Sequence, residues 1–168
     1  MIKIVTWSLC ITLYFAACKS TQAINTTATA CELNFELTER AQLLLDKQWS
    51  ETSIKVLRRA GEAQTMDVTD QFMPSDLDDV IIFHRDGTFL FDEGASKARQ
   101  ESQQVYGAGS WTLIEENKQL VLCSQSKYTI YEVVDLAPDQ LILQLGIDKP
   151  DESYTYELIY HPSNTPKN

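Results

Sequence analysis

The sequence has few of the residues that build catalytic or metal sites. It contains two histidines, His84 and His161, and four cysteines, and neither histidine forms a ligand-spaced cluster with a cysteine, so no zinc site is expected. None of the six glycines belongs to a phosphate-binding loop. Ser110 follows Gly109 but lacks the Gly-x-Ser-x-Gly frame of a serine hydrolase. We therefore expect no enzyme, no metal and no cofactor.

Positive charge is also scarce. Fourteen lysines and arginines stand against 24 acidic residues, which gives a formal net charge of −10. A chain this acidic repels phosphate backbones, so we expect no nucleic-acid partner. Asp76, Asp78 and Asp79 lack the central glycine and terminal glutamate of a calcium loop, and we interpret them as a solvated acidic loop. A glycosidase needs only two well-placed carboxylates, which the sequence alone does not exclude.

Long apolar runs are absent except at the N-terminus. Lys3 precedes a mostly apolar stretch over residues 4–15, which is too short to cross a bilayer as a helix, and small residues then lead to Cys18. This layout predicts a signal peptide over residues 1–17. The Phe-Ala-Ala-Cys sequence resembles the lipobox of bacterial lipoproteins, in which the cysteine thiol receives a diacylglyceryl group. The alternative is an ordinary signal peptide that is cut after Ala17.

An acylated Cys18 would make the membrane the first partner of this chain. Each buried methylene contributes about 0.8 kcal/mol, so two or three acyl chains anchor a protein stably. Residues 18–35 are mostly small and polar and predict a lipidated flexible tether, and residues 163–168 predict a tail. The resemblance implies the bacterial cell envelope. The lack of an acidic run after Cys18 favours an outer-membrane lipoprotein that faces the periplasm, and surface exposure stays open.

Two cysteines remain once Cys10 leaves with the leader and Cys18 is acylated. In an oxidising compartment two remaining cysteines commonly form a disulfide, so one prediction is a bond between Cys31 and Cys123. A bond that closes a loop of about 90 residues stabilises by roughly 4 kcal/mol in the chain-entropy picture. The alternative is two free thiols, one buried in a strand and one on the tether.

The remaining residues predict one short helix followed by strands. Thr38 can cap a helix over 38–46. Asp86-Gly87 lies between two β-rich runs, which is a strong hairpin signal. About eight short strands of alternating polarity predict a mainly β fold, either a sandwich or an antiparallel up-and-down barrel. The predicted strands cover 49–57, 80–84, 88–91, 109–114, 120–123, 127–134, 141–145 and 154–160, and the stretches 61–78 and 92–104 are predicted loops.

The order of these motifs is similar to that of the lipocalin-like lipoproteins of the Bacteroidetes type. The matching segments are 44–49, 78–89, 109–113 and 156–158. The resemblance implies a lipocalin-like barrel of about eight strands over residues 36–162. Lys47 stands where a lipocalin Gly-x-Trp motif has glycine, and the cysteines expected near Ser75 and near 97–99 are absent. Cys31–Cys123 is therefore the only candidate cross-link.

Aromatic residues on the predicted strands are the candidates for a ligand site. Ligand pockets are apolar with a few polar groups and occur in barrel mouths, which predicts a non-catalytic protein that binds a small hydrophobic or amphipathic ligand. The alternative is a packed barrel that engages an envelope protein or a glycan through its loops. Trp49 is expected in the core, and the sequence gives no oligomeric state. The cavity candidates are Phe83, Phe89, Phe91, Trp111, Tyr128, Tyr154 and Tyr156.

Overall fold

The computed structural model describes residues 33–58, 64–97, 99–149 and 152–163. The predicted signal peptide, Cys18, Cys31 and the end of the predicted tail lie outside these ranges. Within them, no helix is both long and apolar enough to span a bilayer. The elements in chain order are α1 Glu39–Gln42, β1 Gln48–Arg58, β2 Gln64–Asp67, a 3-10 helix Thr69–Gln71, α2 Pro74–Leu77, β3 Val80–Phe83, β4 Thr88–Asp92, β5 Val105–Ile114, β6 Gln119–Ser124, β7 Lys127–Ala137, β8 Gln140–Lys149 and β9 Glu152–Pro162.

The described strands form one antiparallel sheet that closes on itself. Strands β3 to β9 pair in chain order, and β9 returns to pair with β1 from Trp49 opposite Pro162 to Arg58 opposite Tyr154. The start of β1 pairs with β3, and its far end pairs with β2. Eight strands thus close a barrel and β2 is an extra strand beside β1, so the predicted barrel fold is confirmed.

The core fills one end of the barrel, and α1 covers that end. Trp49 is fully buried, and its indole N–H donates to the carbonyl of Leu44 at 3.0 Å. Trp111 is equally buried and donates to the carbonyl of His84 at 3.1 Å. Each indole nitrogen therefore has the partner that burial requires. The same cluster contains Ala41, Leu44, Leu45, Ile81, Phe83, Phe89, Leu120, Leu122, Val133, Leu136, Leu141 and Leu143.

Two local predictions were wrong. The helix predicted over 38–46 ends at Gln42, because the N–H groups that follow bond to carbonyls three residues back, as Leu45 does to Gln42. Asp46, in a left-handed conformation with φ 59°, then turns the chain into β1. Thr38 does cap the helix. The stretch 61–78, predicted as a loop, contains β2, the 3-10 helix and α2. All four residues of β2 are exposed and the two helices are a single turn long. The stretch therefore shows neither the two-residue apolar period of a strand nor the 3.6-residue apolar period of a helix.

The Asp-Gly hairpin is present as predicted. Gly87 joins β3 to β4 with φ +80°, a conformation that glycine adopts without steric cost. The carboxylate of Asp86 accepts hydrogen bonds from the backbone N–H of Thr88 at 3.0 Å and from its hydroxyl at 2.6 Å. These bonds lower the pKa of Asp86 below its usual range. The hairpin fixes the register in which β3 and β4 carry their aromatic side chains.

Candidate functional site

A cavity of about 300 Å³ lies where the packed core ends, between β1, β3, β4, β5 and β9. Ile81 belongs both to the core and to this cavity, so it forms part of the floor. Phe72, Asp76 and Asp79 reach the cavity from the segment that precedes β3. The walls combine apolar and aromatic side chains with carboxylates; the lining residues are Glu51, Phe72, Asp76, Asp79, Val80, Ile81, Phe91, Tyr106 and Tyr160.

The aromatic wall depends on a glycine opposite a phenylalanine. Gly107 on β5 pairs with Phe91 on β4, and a Cβ at Gly107 would press against the Phe91 ring. The ring of Phe91 stacks on Tyr106, with centroids 5.8 Å apart and planes 14° apart. It also meets the buried ring of Phe89 edge-on at 5.3 Å. The aromatic surface is therefore continuous from the core to the cavity.

Glu51 presents a carboxyl group inside the barrel. A bulge between Glu51 and Ser53 shifts the register of β1, so that both Glu51 and the buried Ile54 take inward positions. The hydroxyl of Tyr160 on β9 donates to Oε2 of Glu51 at 2.9 Å. Burial raises the pKa of Glu51, the bond from Tyr160 lowers it, and repulsion from Asp79 raises it further. Burial and the charge of Glu51 in turn raise the pKa of Tyr160 well above its ordinary value.

Asp79 brings a second carboxyl group to the cavity lining, near the phenol of Tyr106. Burial raises the pKa of Asp79, the nearby hydroxyl of Tyr106 lowers it, and the negative charges of Glu93 and Asp78 add to the rise. The pKa of Tyr106 is raised by burial and by the nearby carboxylate of Asp79. The carboxyl groups of Glu51 and Asp79 thus share one partly apolar space.

The neighbouring Asp78 fixes the segment that carries Asp79. Its Oδ2 accepts from the backbone N–H of Ala95 at 3.1 Å and from both the N–H and the hydroxyl of Ser96 at 2.7 Å. Gly94 has φ +64°, and a Cβ there would collide with the carbonyl of Asp78. The loop after β4 therefore holds the segment before β3 against the barrel.

Three of the predicted cavity aromatics lie in the core. Phe83 and Phe89 are 1% exposed and Trp111 is 0% exposed, and all three belong to the packed cluster. They are held there because they sit at the ends of β3, β4 and β5 that α1 covers. Among the predicted residues, Phe91 lines the described cavity.

The three tyrosines predicted for the cavity lie outside its lining. Tyr154 and Tyr156 are partly buried and meet edge-on, with centroids 5.4 Å apart, but they do not line the described cavity. Tyr128 is 58% exposed. It pairs with Cys123 on β6 and lies an odd number of residues from the core-packed Tyr131, so it faces outward.

Sequence reasoning missed the polar half of the site, because only aromatic residues were considered for the cavity. Glu51 follows Trp49 by two positions, and strand period places both on one face. A glutamate two residues after a core tryptophan therefore indicated a carboxylate inside the barrel. Tyr160 likewise shares a face with Tyr156 and Leu158. Asp79 and Tyr106 had no comparable signal, since their meeting depends on the loop anchored by Asp78.

Of the four cysteines, the structure describes Cys123. Cys123 is fully buried and disulfide-bonded. The other three cysteines, Cys10, Cys18 and Cys31, lie outside the described residues, so pairing with Cys31 and acylation of Cys18 stay predictions. In the described part of the chain, no group of three or more histidine, cysteine, aspartate or glutamate side chains is placed to hold a metal ion.

Comparison with known proteins gives a structural likeness alone. No family model matches the chain, and no curated protein matches it. The chain is similar to bovine odorant-binding protein in complex with undecanal, at 12% identity over 80% of this chain and 79% of that chain, with a TM-score of 0.41. The complex of the same protein with a selenium-containing odorant has the same identity and coverage and a TM-score of 0.40. At these TM-scores the barrel fold stated above rests on the strand pairing, not on the likeness.

Proposed function

We propose that this chain is a membrane-anchored lipoprotein whose barrel binds a small hydrophobic or amphipathic ligand without chemical change. The observation that carries the proposal is the cavity of about 300 Å³ with its aromatic wall. Small-molecule pockets typically start near this size, at about 300–1,000 Å³, and combine apolar walls with a few polar groups. Glu51, Asp79, Tyr106 and Tyr160 supply those polar groups.

Binding accounts for the cavity better than catalysis does. General acid–base chemistry uses two groups whose surroundings move their pKa values apart, one kept protonated and one ionised. Here the pKa values of Glu51 and Asp79 are both raised, and burial is the main cause for each. The pKa values of Tyr106 and Tyr160 are raised as well, which keeps both phenols protonated, so neither tyrosine can serve as the base.

A fully packed barrel is the alternative prediction, and the cavity argues against it. The interior is filled at the end covered by α1 and open beyond Ile81. The exposed aromatic side chain of Phe72 in the 61–78 stretch would suit an interaction surface. Since Phe72 also lines the cavity, we assign it to the cavity rim.

The membrane anchor is part of the proposal and is tested separately. Cys18 supplies the acylated thiol, and the barrel faces the periplasm from the outer membrane. We expect labelled palmitate to enter the full chain and to be lost in Cys18→Ser, with the wild-type protein in the outer-membrane fraction. Labelled Cys18→Ser, or unlabelled wild type, would contradict the anchor and leave the binding proposal untouched.

Ligand binding is tested with the full chain and a neutral fluorescent probe, N-phenyl-1-naphthylamine. We expect probe fluorescence to rise on binding, and Phe91→Ala to weaken binding about tenfold because the cavity loses one face of its aromatic stack. Tyr128→Ala is the matched control, because that ring is exposed on the outer face, and it should bind as wild type does. Native mass spectrometry of the chain from its own cells should show a retained small molecule. Equal losses in the two variants, or no uptake of the probe, would overturn the proposal.

A further inference from the structure

The cavity is negatively charged as well as aromatic. Three carboxylates line it, from Glu51, Asp76 and Asp79, and the lining residues that the structure describes include no lysine, arginine or histidine. Asp78 and Glu93 lie close enough to add to the negative potential at Asp79. In a partly desolvated space, such charges act more strongly on a ligand than they would in water.

The carboxylate of Glu51 has unused acceptor capacity. An ionised carboxylate offers about four lone-pair positions, and the bond from Tyr160 occupies one of them. Among the described residues, the ion pairs are formed by other carboxylates, such as Glu157 with Lys55 on the outer face. A buried carboxylate is costly without a compensating positive charge. Its surroundings therefore favour a cation that enters the cavity from outside the protein.

The aromatic wall suits the same kind of ligand. The stacked rings of Phe91 and Tyr106 lie at the cavity together with Tyr160, and an organic cation is attracted to the faces of such rings. Ile81 and Val80 offer an apolar surface to the uncharged part of the ligand. A carboxylate ligand would meet repulsion from Glu51 and Asp79, and a neutral ligand would leave their mutual repulsion in place.

We propose that the cavity selects a small organic cation, with its ammonium group facing Glu51 and Asp79 and its apolar body against Phe91, Tyr106 and Ile81. This inference rests on the proposed ligand-binding function and names the chemical class of the ligand. The ammonium group relieves the repulsion between the two carboxylates and completes their hydrogen bonding. The hydroxyl of Tyr160 holds the carboxylate of Glu51 in place.

Three probes of nearly equal size test the inference: 2-phenylethylammonium, 2-phenylethanol and 3-phenylpropanoate. Each is titrated against the full chain in competition with N-phenyl-1-naphthylamine. We expect the ammonium probe to bind about tenfold more tightly than the alcohol, and the carboxylate most weakly. The double variant Glu51→Gln/Asp79→Asn keeps both side-chain shapes and one acceptor oxygen in each side chain. It should reduce the preference for the ammonium over the alcohol to about twofold or less.

Glu132→Gln is the matched control, since it removes one carboxylate from the exposed face of β7 and should keep the full preference. An alcohol that binds as tightly as the ammonium would overturn the cation inference and leave the proposed function intact. A preference that persists in Glu51→Gln/Asp79→Asn would overturn it too, because surface charge would then be the cause. A chain that takes up neither the fluorescent probe nor any of the three ligands would overturn the proposed function itself.

Discussion

At the scale of single residues, the interior of the barrel departs from the rule that buried positions are apolar. Glu51 has the inward position that strand period gives it, and its carboxyl group is held there by Tyr160. A stability-optimised core would place an apolar side chain at this position. Retention of a buried carboxyl at a cavity is the pattern expected where function opposes stability.

The first prediction concerns the pH dependence of stability. Because the pKa of Glu51 is raised in the folded protein, its ionised form destabilises the fold at neutral pH. This penalty is fully present above the folded pKa and disappears below the unfolded value of 4.5. Glu51→Gln should therefore raise Tm at pH 8, and the gain should vanish as the pH falls below 4.5. Thermal unfolding of both proteins over pH 4–8 measures this.

The matched control for that experiment is Glu132→Gln, which should change Tm little across the range because Glu132 is exposed. A Tm gain in Glu51→Gln that stays constant from pH 8 to pH 4 would show that the ionisation of Glu51 is not its cause.

At the scale of secondary-structure elements, the strands were predictable and their connections were less so. Strand β9 alternates between apolar and polar residues, so its approximate position follows from period two, whereas β6 is recognisable as a short continuous apolar run. The Asp86-Gly87 turn was recognisable because glycine supplies the positive φ. The turn between β6 and β7 uses Gln125 and Ser126, with φ 49° and 62°, where no glycine marks it.

The second prediction follows from that turn. Both residues occupy the left-handed region, which costs a non-glycine residue roughly 1–2 kcal/mol. Replacement of Gln125-Ser126 by Asn-Gly, the preferred pair for such two-residue turns, should raise the free energy of unfolding by about 1 kcal/mol or more. Urea unfolding measures the change. The same pair placed at Pro138-Asp139, where neither φ is positive, should give no gain; equal gains at both turns would contradict the conformational cause.

At the scale of the whole molecule, closure of the barrel was predicted through the resemblance and not from any single strand. Pairing of β1 with β9 joins residues that no local pattern connects. The cavity was still harder to predict, because it depends on where the packing ends. Large side chains such as Phe83, Phe89 and Trp111 fill one end, and the segment anchored by Asp78 shapes the other.

The third prediction concerns the cross-link at Cys123. If its partner is Cys31, then Cys31→Ala and Cys123→Ala should each lower the free energy of unfolding by about 2–4 kcal/mol, because the unfolded chain gains conformational freedom. The double variant should lose little beyond the single ones, since either change removes the same bond. Urea unfolding and thiol titration of the denatured full chains measure both effects. A Cys31→Ala variant that unfolds like wild type would assign the bond to another cysteine.

The pairing of β1 with β9 also sets an order of events. The first strand of the barrel takes as its neighbour β9, the last of the described strands, so the wall has a gap until β9 has been added. Contacts between such distant parts of a chain slow folding. During that wait the edge of β1 is open to strands from other molecules. The barrel therefore closes late in folding. A chaperone that covered the edge of β1 until β9 paired with it would shorten the time during which the chain can aggregate.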